Sequence, residues 1–270
     1  MEPVAFTANW VAAARARESA RPDALFHDPL AAALAGQEGE SWMTSDDDGR
    51  VSTYVALRTR FFDDELLRAT RAMGIRQVVI LAAGLDARAY RLPFTKGTRL
   101  FELDQPEVLA GKQAILTAAH ATPRCARASL GVDLRLPWGE ALVAAGFAPA
   151  ERSAWLVEGL LPYLHEADVR RLFERISALA VLGSTLALDV SGAGAFTSPT
   201  FAPHAERMKQ RGIEFHYTCD DPVALLDGFG WSAQDFTLAD LAARAARALP
   251  DGGTNDLLRS HCVSASRRAG

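Results

Sequence analysis

The sequence predicts an α/β protein, a mostly parallel sheet with helices on both faces. Three observations predict it. Residues 77–84 form a short, nearly unbroken aliphatic run, Gln-Val-Val-Ile-Leu-Ala-Ala-Gly, which is the pattern of a strand buried on both faces. Beyond it, strand-like and helix-like stretches alternate at the interval of βα units. The end of the chain turns to alternating polarity at 231–237 and 259–267, which suits a closing antiparallel pair.

From the N-terminus, residues 1–45 read as helical but irregular. Trp10 to Arg17 is rich in Ala and Arg, and Arg21-Pro22-Asp23 and Asp28-Pro29 interrupt the helical pattern beyond it. Such a segment cannot bury a core alone. Asp46-Asp47-Asp48-Gly49 superficially matches a calcium loop, but Arg50 stands at the third alternate ligand position and Leu57 where the closing glutamate is needed. A solvated loop is therefore predicted. Val55, Phe62, Leu66 and Met73 among charged residues predict an amphipathic helix over 51–74 that ends at Gly74. Strands are expected at 77–84, 99–104, 124–130, 154–160 and 184–190, with helices at 106–120, 138–146 and 167–181 between them. A further helix, 238–249, precedes the last strand, and Ser191-Gly192-Ala193-Gly194-Ala195 reads as a flexible loop.

With 270 residues, 49% hydrophobic and 23% charged, the chain has the composition of a soluble globular protein with a large core. A formal charge of −4 and a pI near 5.9 disfavour nucleic acid or an anionic membrane as partners. The basic residues are Arg apart from Lys96, Lys112 and Lys209, a skew that fits a G+C-rich coding background. Cys125, Cys219 and Cys262 are far apart and odd in number, which points away from a disulfide framework and a zinc site and fits the cytoplasm. No basic segment follows Met1, and the longest uncharged apolar stretch, 176–188, is bracketed by Arg175 and Asp189, so neither a secretion signal nor a membrane span is expected. A monomer or homodimer acting on a small molecule, with no metal, is the expectation.

In an open α/β sheet ligands bind beyond the carboxyl ends of the strands, so the residues that end each strand carry the chemistry. Here they are Ala82-Ala83-Gly84-Leu85-Asp86, then Asp104, then Val132-Asp133-Leu134, then Glu158-Gly159. A small-residue turn lets backbone amides approach a ligand, and an acid closing the second strand suits the two hydroxyls of a ribose. Asp104 lies 20 residues past Gly84, yet the G-x-G-x-x-G that holds a pyrophosphate is absent. The turn suits a cofactor without a phosphate. Glu158 ends an otherwise apolar strand, where an unpaired carboxylate is costly, so it requires a partner, for which a ligand ammonium is suited.

Four stretches carry a resemblance: Arg58-Thr59-Arg60-Phe61-Phe62-Asp63-Asp64, residues 79–92, Phe101-Glu102-Leu103-Asp104-Gln105-Pro106, and residues 155–164 with Glu158-Gly159-Leu160-Leu161-Pro162-Tyr163 at their centre. Together they resemble the leucine carboxyl methyltransferase family, in particular its bacterial S-adenosylmethionine-dependent branch. The resemblance implies a Rossmann-like class I methyltransferase, with a seven-stranded sheet and a helical lid. It implies S-adenosylmethionine as cofactor and an O-methyltransferase activity on a carboxylate or phenolic hydroxyl of a small molecule, such as a polyketide-type metabolite. By residue, it implies that Arg58 pairs with the methionine carboxylate, Ala82, Ala83 and Gly84 pass beneath the methionine, and Asp104 holds the ribose. Asp133 and Leu134 then lie beside the adenine, Glu158 near the methionine amino group, and Tyr163 at the substrate face. The family commonly has Gly in place of Ala82 and Thr in place of Ala87. The substitution at 82 is expected to be mild, because alanine tolerates ordinary strand dihedrals.

Residues 1–50 and an insertion near 192–220 are the candidate lid over a domain spanning 51–270. His204 and His216 lie in that insertion, and His216 is a candidate base with Tyr163 if the acceptor is a phenol, whereas a carboxylate needs none. Two rivals remain. A nicotinamide-dependent oxidoreductase shares the first strand and Asp104 but needs the missing glycine pattern. A catalytically silent S-adenosylmethionine-binding module shares every cofactor residue. No G-x-S-x-G occurs, which disfavours a hydrolase.

Overall fold

The computed structural model describes residues 3–46, 49–197, 202–250 and 260–269. Seven strands form one sheet in the order β3-β2-β1-β4-β5-β7-β6. They are β1 (Gln77–Leu81), β2 (Arg99–Asp104), β3 (Ala126–Gly131), β4 (Ser153–Val157), β5 (Thr185–Ser191), β6 (Trp231–Thr237) and β7 (Ser260–Arg267). The first five are parallel, and β7 runs antiparallel between β5 and β6. Every predicted strand is present within a few residues of its expected limits, and the switch from aliphatic runs to alternating polarity falls where the pairing changes sense.

The period-two alternation of each strand divides the core. Val78, Ile80, Leu156 and Ala187 face one side, where α1 (Pro3–Ser19), α2 (Ala31–Asp46), α3 (Arg50–Leu67), α4 (Arg88–Arg91), α5 (Pro106–Ala118) and, later in the chain, α10 (Leu238–Arg244) pack. Val79, Leu81, Phe101, Trp155 and Val157 face the other, against α6 (Gly139–Ala144), α7 (Glu166–Leu179) and α9 (Pro222–Asp227). The short helix α8 (Ala202–Gln210) falls within 192–220. The predicted helix over 51–74 ends earlier, at Leu67, and continues as one π-helical turn, Arg68–Ala72. The N-terminal segment is two helices, as the prolines suggested, with α2 kinked at Gly36. α1 and α2 cross so closely at Gly39 that a Cβ there would stand 2.4 Å from the Asn9 carbonyl oxygen. Asp47 and Asp48 of the acidic run lie outside the described residues. No described helix is long and apolar enough to cross a membrane.

Candidate active site at the carboxyl edge of the sheet

Because side chains alternate along a strand, residues two apart share a face. Leu156 and Ala187 face α3, so Glu158, just past the end of β4, and Asp189, near the end of β5, face it too. α3 answers with Tyr54 and Arg58, one turn apart, the guanidinium lying over the Tyr54 ring at 5.1 Å. Arg58 Nη1 donates to Asp189 Oδ2 at 2.9 Å, and the Tyr54 hydroxyl donates to the same oxygen at 2.9 Å. Asp189 Oδ1 accepts the backbone N–H of Gly159 at 2.7 Å. Both terminal nitrogens of Arg58 lie beneath Gly159, whose φ of +64° favours a residue without a Cβ.

Glu158 finds partners within the protein. Its Oε1 stands 3.1 Å from Arg58 Nε and its Oε2 accepts from Arg88 Nη1 at 2.7 Å, so protein guanidinium groups flank the carboxylate. Burial alone would raise its pKa, but Arg88 and Arg58 hold it below the usual carboxylate range. The Arg58 Nε contact is ionic only, and that buried N–H has no hydrogen-bond acceptor. From Arg88 the network runs on. Arg88 also reaches Asp86, and its Nε donates to Asp63 Oδ1 at 2.7 Å. Arg91 grips the same Asp63 with two nitrogens, at 2.5 and 2.7 Å. Asp28, fully enclosed, lies 3.7 Å from Arg91 and 2.9 Å from Arg15, and Arg15 donates to the Leu85 carbonyl at 2.7 Å. α1 is thereby tied to the turn after β1. Among the described residues this chain joins five carboxylates, Asp189, Glu158, Asp86, Asp63 and Asp28, to four guanidinium groups, Arg58, Arg88, Arg91 and Arg15. One negative charge is in excess.

Above this network lies a cavity of about 390 Å³ at the carboxyl ends of β1 to β4. Arg58, Ala82, Gly84, Asp104, Asp133, Leu134, Glu158 and Tyr163 all line it. Asp104 Oδ2 accepts the Gly84 N–H at 2.6 Å and Oδ1 the Gln105 N–H at 2.7 Å, which fixes the carboxylate at the cavity wall, while burial raises its pKa. Asp133 is gripped by Arg135 through Nε at 2.9 Å and Nη2 at 2.7 Å, and these bonds lower its pKa. The roof comes from α1, through Thr7, Ala8, Trp10, Val11 and Arg15. Tyr163 sits at the far end, its hydroxyl hydrogen-bonded with Thr7 and its pKa raised by burial.

Three predicted positions differ. Ala83 is buried and does not line the cavity, and its N–H is spent on the Leu103 carbonyl at 3.1 Å. Ala82 does not keep strand dihedrals: its φ is +52°, a left-handed conformation that costs an alanine roughly 1–2 kcal/mol. Ala82→Gly is therefore expected to stabilise the fold by about 0.5–1 kcal/mol after the entropy cost of glycine, read as a rise in Tm of about 2 °C. His216 is exposed, lies outside the cavity lining, and has its ring 4.2 Å from that of exposed His165, tilted 34° to it, with its backbone N–H on the Pro162 carbonyl at 2.7 Å. The 213–217 segment runs along the 160–164 turn with His216 facing outward, which removes it from the position a base requires. The side chain of His204 lies outside the described residues.

Asp189, Arg88 and Trp10 were not singled out from sequence. Asp189 had the same signal as Asp104 and Glu158, a carboxylate at the end of an apolar strand. No group of three or more metal-ligating side chains occurs among the described residues.

Known proteins share this architecture. A crystal structure of a DUF574-family protein from Streptomyces avermitilis superposes with a TM-score of 0.61, covering 95% of this chain and 96% of that one at 16% identity, a likeness of fold. A Mycobacterium avium protein named "Putative S-adenosyl-L-methionine-dependent methyltransferase" is 41% identical over 98% of this chain and 91% of its own length. A Frankia alni protein of the same description is 41% identical over 97% of this chain and 94% of its own. The leucine carboxyl methyltransferase model matches residues 8–177, the stretch that holds most of α1, Arg58, the turn after β1 and the acids ending β2 and β4. On that match and on those relatives, the chain belongs to the leucine carboxyl methyltransferase family.

Proposed function

We propose that this S-adenosylmethionine-dependent methyltransferase transfers its methyl group to an oxygen of a small organic acceptor. The observation that carries the reading is the meeting of Arg58, Asp104, Asp133 and Glu158 in one cavity at the carboxyl edge of the sheet, where the fold rule puts a nucleoside ligand. When bound, the cofactor supplies an electrophilic sulfonium methyl. The chain's residues fit it. Asp104, fixed by two backbone N–H groups, has lone pairs left for two ribose hydroxyls. Asp133 and Leu134 offer an acceptor and an apolar edge to an adenine. Arg58, held in place by Asp189 and Glu158, lines the cavity and presents a guanidinium to a carboxylate. The excess negative charge of the network favours a ligand of net positive charge, and S-adenosylmethionine carries one through its sulfonium.

Catalysis in this arrangement rests on alignment and exclusion of water rather than on proton transfer, since a pre-oriented pair of reactants needs little more. Of the two lid candidates, α1 roofs the cavity through Thr7, Trp10 and Val11, and Tyr163 lines it beside them, whereas no described residue of the segment around α8 lines it. Calorimetry with S-adenosylhomocysteine tests the cofactor site. The intact chain is expected to bind it, and Asp104→Ala to weaken binding by about 100-fold, two charge-assisted hydrogen bonds being lost. Unchanged binding in the variant would overturn the assignment. Because burial raises the pKa of Asp104, affinity is expected to fall on acidification at a pH above the ordinary carboxylate value of about 3.9.

A further inference from the structure

We propose that Lys112 is a positioning residue for the cofactor: with Arg127 it gives the buried Glu102 one cation more than that carboxylate balances, and the surplus charge holds Asp104 as the anion that takes the ribose hydroxyls. This rests on the cofactor reading above. α5 buries Leu109, Lys112 and Leu116, at the three- and four-residue steps of one helix face, so a lysine stands where the pattern calls for an aliphatic side chain. Lys112 is wholly enclosed, and so is Glu102. The Lys112 Nζ donates to Glu102 Oε2 at 2.8 Å. Arg127, on β3, donates through Nη2 to the same oxygen at 2.8 Å. Glu102 Oε1 and Arg127 Nε are buried without a hydrogen-bond partner. Two cations thus meet one incompletely bonded carboxylate in the core, an arrangement that an apolar trio would better for stability alone.

The surplus has a recipient. Glu102 and Asp104 are two residues apart on β2 and so share one face, the face on which Lys112 lies, with Asp104 at the carboxyl end where the cavity opens. Lys112, Glu102 and Arg127 do not line that cavity. The other charged groups around it pair among themselves: Arg15 with Asp28, Arg58 with Asp189 and Glu158, Asp86 with Arg88, and Asp133 with Arg135. Among the described residues Asp104 has no ion-pair partner, and both of its hydrogen bonds come from backbone N–H groups. Burial raises its pKa, Lys112 lowers it and Glu102 raises it, and Lys112 also lowers that of Asp86. At the outer end of the cluster Arg127 lies over the Tyr90 ring at 5.4 Å. Burial raises the pKa of that phenol, and burial and Glu102 push the Cys125 thiol up to about 11, so neither adds a charge at neutral pH. A compact ammonium acts on Asp104 through the core without touching the ligand.

Two measurements on the full chain test this. The Asp104 carboxyl carbon, followed by NMR without ligand and assigned through Asp104→Asn, reads the charge directly. The pH dependence of S-adenosylhomocysteine affinity, by calorimetry, reads its consequence. Lys112→Met, in which Glu102 keeps Arg127, is expected to move both midpoints to higher pH by about one pH unit, with a loss of affinity that widens as pH falls. Lys112→Gln, which keeps a donor for Glu102 without the charge, is expected to do the same and serves where the methionine variant does not fold. Glu102→Gln, whose amide oxygen still accepts from Lys112, is expected to move both midpoints to lower pH. Opposite movements set a field at Asp104 apart from simple support of the fold. Midpoints that stay in place, or that move the same way in the Lys112 and Glu102 variants, overturn the proposal. Native protein that does not bind S-adenosylhomocysteine counts against the cofactor site itself, a failure told apart from that of Lys112 by the carboxyl titration, which needs no ligand.

Discussion

Asp189→Ala is expected to lose about 3–5 kcal/mol of stability, measured by urea unfolding, a large share of the 5–15 kcal/mol typical of a folded domain. The carboxylate is buried and accepts from three donors: Arg58, the Tyr54 hydroxyl and the Gly159 N–H. Removing it takes from the buried Arg58 guanidinium one of its two carboxylate partners and leaves Glu158 alone to balance it, and breaking a buried pair by removing one partner is costly. Asp189→Asn separates the charge from the shape. The amide oxygen still accepts from Gly159, so the turn after β4 keeps its course, but the guanidinium loses its strongest anchor. S-adenosylhomocysteine is then expected to bind about tenfold more weakly, with a smaller loss of stability than in the alanine variant. Equal effects on both properties in both variants would mean that Asp189 supports the fold without positioning Arg58.

Arg88→Ala is expected to be as severe at neutral pH, again about 3–5 kcal/mol, and to change the shape of the pH profile. Arg88 touches Asp63, Asp86 and Glu158. In the native protein burial would raise the pKa of Asp86, but Arg88 and its neighbours bring it down to about 2. A carboxylate whose folded pKa lies below its unfolded value stabilises the fold above about pH 4, and that contribution is lost as pH falls toward 2. Glu158 has the same sign. Without Arg88, burial dominates both groups and their folded pKa rises, so ionisation at neutral pH opposes folding and acidification relieves it. The stability difference between native and variant proteins should therefore be largest near pH 7 and shrink toward pH 4. A difference independent of pH would show that Arg88 acts through packing alone.

Local patterns made the fold legible. An aliphatic run leading to a glycine marks a buried strand and its turn, and 77–84 and 184–190 both carry that mark without reference to a partner strand. The candidate cofactor residues were legible for a related reason, because a carboxylate at the end of an apolar strand is conspicuous. The partners of those carboxylates were not. Glu158 meets Arg88, 70 residues earlier, and Asp189 meets Arg58, 131 residues earlier, and no periodicity encodes such a pairing. Ala82 misled because an alanine carries no mark of a left-handed backbone. His216 misled because the path of the insertion depends on how its apolar residues meet α1 and the 160–164 turn, a tertiary outcome.

The order of the strands bears on how the protein is made. Among the described residues β6 is hydrogen-bonded to the sheet only through β7, the last of the seven strands to be synthesised, which slides between β5 and β6. Glu18, on the first helix, is gripped by Arg247, 229 residues further on. A nascent chain leaving the ribosome at about 5–20 residues per second can pair β1 to β5 as they emerge, but its first helix and its sixth strand must wait. The sheet closes, and the roof of the cavity is clamped at Arg247, only after residues 247–267 have emerged.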